Sequence, residues 1–169
     1  MLALLNGDMA HAMDVLHRGL AVLDSGPPGG PAHYRGLWPL LLAAHGEDTA
    51  AEAISHARAI GLTVNRANRG LLGYADAILA GRVGDGSRAT DLAASADLDL
   101  HHYPVWADLA RLIAAEPALL QGWGQPRPWL EAAAAVFGRH QLEPLAARCR
   151  QLLARPQPTR WSRLGVTDR

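Results

Sequence analysis

Lysine is absent from this 169-residue chain, and all 16 of its basic side chains are arginine. That excludes a phosphate-binding loop built around Gly-Lys-Ser/Thr, and any Schiff-base chemistry within the chain. Cysteine is almost absent as well: one thiol, Cys149, forbids an internal disulfide and fits a reducing, cytoplasmic setting. Net charge is zero, so nothing overall demands nucleic acid or a membrane surface. The longest apolar run, residues 37–44, is far too short to span a bilayer and contains Pro39. Residues 1–13 lack a basic start, and Gly7-Asp8 breaks their apolar run, so they are not read as a secretory leader. No run of β-branched residues alternates at period two, and no strand is expected.

What remains is helical. Apolar residues at 49% and charged residues at 19% describe an ordinary globular chain, long enough for one domain with a real core. Met9, Met13, Leu16, Leu20 and Leu23 share one face of a helix expected over 8–24, with Asp8 as its N-cap. The SGPPGGP stretch at 25–31 is a break. A helix follows over 32–45, with Pro39 expected to kink it or shift its start. Thr49 and Glu52 form a capping box for the next helix, which Gly61 ends.

The longest helix is expected over 64–80, with Val64, Leu71, Leu72, Ala75, Ile78 and Leu79 inward. Ser87 caps a short helix, and 97–104 reads as irregular. A helix from Val105 to Ala115 should bend at Pro117. Two more are expected over 128–140 and 143–154, the second with a stripe of Leu142, Leu145, Ala146, Cys149, Leu152 and Leu153. Arg148, Arg150 and Arg155 face outward there and suit the negative end of the helix dipole. Trp38, Trp106, Trp123 and Trp129 sit in or beside apolar patterns and are assigned to the core; Trp161 is assigned to a contact with a neighbouring domain.

An apolar pair, a glycine, an acidic or proline residue and an alanine-rich helix recur around Gly7, Gly46, Gly84 and Gly124, spaced 39, 38 and 40. That is the scale of a helix-turn-helix solenoid unit. The expected fold is therefore all-α, a tetratricopeptide-like array of about seven to eight helices in antiparallel pairs. In such arrays the first helix of each pair lines the concave face. Here those helices carry Arg35, Trp38, Asn65, Arg66, Asn68, Arg69, Tyr74 and Trp106, the candidate ligand- or partner-binding residues. The polar, basic group at 65–69 has the chemistry to take a carboxylate or phosphate; a plain solvated face is the competing reading.

Catalytic constellations do not survive inspection. His101-His102 lies near Asp97 and Asp99, but no further ligand sits at a metal-binding spacing. Cys149 falls on an apolar stripe and reads as a core residue, with or without His140. Gly84-Asp85-Gly86-Ser87 follows a helix instead of a strand, so it does not read as a phosphate loop. No catalytic residue, metal or cofactor is assigned, and the chain is not read as an enzyme.

The last stretch is the most informative. It holds Gly122-Trp123-Gly124, Pro126 and Trp129-Leu130-Glu131, then Ala147-Arg148-Cys149-Arg150 and Leu152-Leu153. A Pro/Arg linker follows, and then Leu164-Gly165-Val166-Thr167-Asp168-Arg169. Seven arginines from 139 onward stand against Glu143 and Asp168, leaving +5 there and −5 in the rest of a neutral chain.

This block resembles the region just before the DNA-binding domain of large LuxR-type transcriptional regulators. Those proteins carry an ATPase module, a long run of tetratricopeptide-like repeats and a C-terminal helix-turn-helix. Neither the ATPase nor the helix-turn-helix lies in this chain. The resemblance implies a helical-repeat domain over 1–155, and a linker with the first residues of a helix-turn-helix over 156–169. It implies a cytoplasmic regulatory segment whose partners are the other modules, a small-molecule or protein effector, and in some cases a second copy of itself. DNA would be met only through the absent domain, and no membrane partner is implied. The alternative is a stand-alone helical-repeat adaptor for a protein or peptide.

Overall fold

The computed structural model describes residues 11, 13–15, 18 and 35–155. Within them lie α1 (Leu37–His45), α2 (Ala50–Ala59), a 3₁₀ turn (Leu62–Val64), α3 (Arg66–Arg82), α4 (Gly86–Leu100), α5 (Pro104–Gln121), α6 (Pro126–Arg139) and α7 (Glu143–Ala154). No strand occurs among the described residues. The Asp8 cap, most of the helix expected over 8–24, the break at 25–31 and Trp161 lie outside them.

Helix α3 is the centre of the molecule. It packs against α1, α2, α4 and α5. Eleven of its 17 residues are buried, among them Leu71, Leu72, Tyr74, Ala75 and Ile78. Each of the fully buried leucines contributes about 1.5–3 kcal/mol relative to exposure. Its closest neighbour is α4, and small residues permit the approach. A Cβ added at Gly70 would lie 2.5 Å from Cγ of Leu100 and 3.0 Å from the Ala96 carbonyl oxygen. On the α4 side the buried residues are Ala89, Ala93, Ala96 and Leu100, at helical spacing.

Contacts run from α1 to α3, from α3 to α5 and from α5 to α7, while α2, α4 and α6 pair with the odd-numbered helices before them. α1 also reaches α5 directly, a contact that a straight stack of nearest neighbours lacks. At the far end, α6 packs on α5 and α7 packs on α6.

Helices α1, α3 and α5 end alike. Gly46, Gly84 and Gly122 have φ of 86°, 85° and 77°, values that suit glycine because it has no Cβ. After each, the next amide reaches back five residues: Glu47 N–H donates to Leu42 at 3.0 Å, Asp85 to Ala80 at 3.0 Å and Trp123 to Ala118 at 3.3 Å. The repeating cap is therefore spaced 38 and 38, with Gly122 in the place expected for Gly124. Gly124 does another job: a Cβ there would fall 2.4 Å from the ring of Trp129.

Several helix boundaries differ from the sequence expectation. α1 begins at Leu37, so that Pro39 falls in its first turn, where the missing N–H has no intrahelical partner. Thr49 precedes α2 without a side-chain capping bond, so the capping box is not formed. Val64 belongs to the 3₁₀ turn and is 86% exposed, not on an inward stripe. The cap of α4 is Asp85, whose carboxylate accepts the Arg88 N–H at 3.1 Å, and not Ser87. α4 continues through the supposedly irregular Asp97 to Leu100, because its last turn packs against α3 through Ala96 and Leu100. Among the described residues α5, not α3, is the longest helix. It runs past Pro117 to Gln121: the proline forfeits one backbone bond, but Ala114, Ala115 and Ala118 around it are buried. Helix α7 has the expected bounds.

Candidate functional site

The eight candidate residues do not form one surface. Asn65 caps α3, its side chain accepting the Asn68 N–H at 3.2 Å. Asn68 itself is fully buried and accepts the Gly36 N–H at 3.0 Å, holding the start of α1 against α3. A Cβ added at Gly36 would be 3.0 Å from the Asn68 backbone, so Gly36 and Asn68 are fitted to each other. Asn68 is a core polar residue, satisfied within the fold. Arg66 and Arg69 are exposed. Arg69 makes a forked pair with Asp99 on α4, Nε to Oδ2 at 2.8 Å and Nη2 to Oδ1 at 2.5 Å, and donates to the Thr63 carbonyl at 3.3 Å. Its charge is thus matched by a carboxylate from inside the molecule. Arg35, Trp38 and Trp106 are half-buried on or beside α1 and α5.

Tyr74 is fully buried and anchors a network that sequence reasoning missed. Its hydroxyl donates to Oδ1 of Asp97 on α4 at 2.7 Å. Arg111 on α5 donates to the same oxygen through Nε at 3.0 Å, and through Nη1 to Oδ1 of Asp108 at 3.2 Å. Asp108 is only 4% exposed. Burial pushes its carboxyl up, an effect opposed by Arg111. Burial, together with the charge of Asp97, also pushes the Tyr74 phenol up. The network ties α3, α4 and α5 together. In the sequence, Tyr74 stood only as a surface candidate, and Asp97 and Asp99 read as part of an irregular, solvated stretch. Here each of them faces an arginine, and no group of three or more His, Cys, Asp or Glu among the described residues is arranged to hold a metal ion.

Aromatic residues continue the network toward α6. Tyr74 and Trp129 meet edge-to-face with ring centroids 5.9 Å apart, as do Trp129 and Trp123. Trp123 is buried, and its indole N–H donates to Gln121 at 2.9 Å. It lies against Gly81, where a Cβ would be 2.2 Å from Nε1. The assignment of Trp123 to the core therefore holds, and Trp38, Trp106 and Trp129 pack against the core from half-buried positions.

His101 and His102 are exposed, with ring centroids 5.1 Å apart. Cys149 is fully buried, and burial pushes its thiol from an ordinary 9.0 up to about 11. That arrangement keeps the sulfur protonated and away from solvent. No helix among the described residues is long and apolar enough to cross a membrane.

No protein-family model, curated protein or solved structure matches this chain.

Proposed function

We propose that this chain is the helical-repeat regulatory segment of a LuxR-type transcriptional regulator, placed before its DNA-binding module. The observation that carries the reading is the ordered block from Gly122 to Arg169: Gly-Trp-Gly, Trp-Leu-Glu, Ala-Arg-Cys-Arg, a Pro/Arg linker, then Leu-Gly-Val-Thr-Asp-Arg. Two features of the fold support it. Odd-numbered helices contact one another in sequence, and the left-handed glycines that follow α1, α3 and α5 recur every 38 residues, close to the length of a helix-pair repeat.

In this reading the segment acts by docking. An effector, or another module, binds one arrangement of the helices better than another and shifts the population between them. Moving that balance from 1:99 to 99:1 takes a differential affinity of about 5.5 kcal/mol. Of the candidate binding residues, Arg66 and Arg69 are exposed and Arg35, Trp38, Asn65 and Trp106 half-buried, with Arg69 already paired to Asp99; only Asn68 and Tyr74 are closed off in the core.

The test is genetic and direct. The reading frame after Arg169 in the source gene should continue with Glu and a helix-turn-helix pattern. Deleting residues 1–155 from that full-length protein should abolish or make constitutive the control of its promoter. Promoter control that stays normal after the deletion overturns the proposal, as does a stop codon directly after Arg169.

A further inference from the structure

Glu116 on α5 receives two arginines at once. Arg148 donates to its Oε2 at 2.6 Å, and Arg155 donates to its Oε1. Both arginines belong to the far end of the fold: Arg148 lies in the body of α7, and Arg155 is the residue that closes it. They are seven apart, two helical turns, and so on one face. The outward, solvated arginines expected from the sequence are therefore half engaged. Arg150, by contrast, pairs only within α7, with Glu143.

α7 is otherwise held mainly by one neighbour. Leu145, Ala146, Cys149 and Leu152 are buried, and the helix packs along α6 with a slight contact to α5. Arg155 has left the helix, with φ −66° and ψ 132°, because the residue before a proline is forced out of the helical region. Its side chain returns to α5 while its backbone departs. The Glu116 carboxylate thus ties α7 to α5, beside its main packing against α6.

We propose that Glu116, Arg148 and Arg155 form a polar latch, and that α7 is a detachable helix. In this device α7 leaves α6 as a unit while the α3–α4 pair stays folded, and the latch sets how often that happens. The three groups are partly exposed, with 35–48% of each side chain accessible, so the latch is tuned by salt and is worth little enough to open reversibly. This inference does not depend on the regulator reading. It concerns only how this chain opens.

The chain carries its own reporter. Its single cysteine lies on the buried face of α7, and reacts with a soluble aromatic disulfide only when that helix is away from α6. The experiment follows the rate of Cys149 labelling at pH 7.5 in the full chain, together with amide exchange in α3. For Glu116→Gln we expect labelling about five-fold faster, with α3 exchange unchanged; Arg155→Gln should give part of that gain. Raising NaCl to about 0.5 M should speed the wild type and leave Glu116→Gln unaffected.

The latch is overturned if Glu116→Gln labels at the wild-type rate, or if Cys149 reacts only as fast as the α3 amides exchange. Should Glu116→Gln fail to fold, the wild-type salt series and Arg155→Gln decide. Labelling that ignores both salt and Arg155 overturns the proposal.

Discussion

Gln141 is the only non-glycine residue with positive φ among those described, at 58°. It ends α6 in the way that Gly46 ends α1: its N–H donates to Gly138 at 3.2 Å, and the next amide, of Leu142, donates to Phe137 at 2.9 Å. A side chain in the left-handed region costs about 1–2 kcal/mol, and glycine avoids that cost while losing more freedom on folding. The first term is the larger. Gln141→Gly should therefore raise the unfolding free energy by about 0.5–1 kcal/mol, read as a higher urea midpoint with an unchanged slope. An unchanged or lower midpoint would mean that the Gln141 side chain makes a compensating contact.

Among the helices, the test lies in the network that joins α3, α4 and α5. Tyr74→Phe removes one hydroxyl but keeps the ring against Trp129, and Asp97 retains Arg111. The loss should be about 1–2 kcal/mol. Arg111→Leu is different in kind. It leaves Asp108 buried without the guanidinium that it accepts from, and Asp97 without its cation. That should cost about 3–5 kcal/mol. Urea unfolding of the two variants checks the order. Equal losses would mean that Arg111 acts only through Tyr74, and not through the buried carboxylate.

For the whole molecule, the absence of lysine makes alkaline titration unusually legible. With no lysine in the chain, no ammonium titration is superposed on that of the Cys149 thiol between pH 9 and 11. Cys149 is an acid whose folded value is raised to about 11 from 9.0. The folded state then holds its proton where the unfolded state has lost it. The stabilisation is complete below pH 9 and is lost as the pH rises toward 11, to a limit of about 2–3 kcal/mol. Tyr74, pushed up by burial, adds a decline of the same sign above the ordinary tyrosine range. Cys149→Ala should remove the thiol's share, so its unfolding free energy should fall less between pH 9 and 11 than that of the wild type. Parallel curves would place the thiol in contact with solvent in the folded chain.

Periodicity settled much of this protein in advance. Four residues of the α7 stripe, Leu145, Ala146, Cys149 and Leu152, are buried and Leu142 and Leu153 half-buried, and its bounds were right, because a Pro-rich break and a clean 3–4 spacing leave no other choice. The all-helical class and the core positions of Leu71, Leu72, Ile78, Leu130 and Phe137 followed from the same rule. Helix ends were less legible. α4 and α5 outran their apparent stops at Asp97 and Pro117, since packing of alanines against neighbouring helices outweighs a local breaker. What the sequence could not contain was pairing at a distance. Asn68 looked like part of an anion-binding surface, yet Gly36, 32 residues away, claims it. Asp97 looked like part of an irregular, solvated stretch until α3 and α5 brought it Tyr74 and Arg111. The α7 arginines looked solvated until the fold set Glu116 between them. Apolar spacing is written locally, because a helix repeats every few residues; the partner of a polar side chain is decided only when separate helices meet.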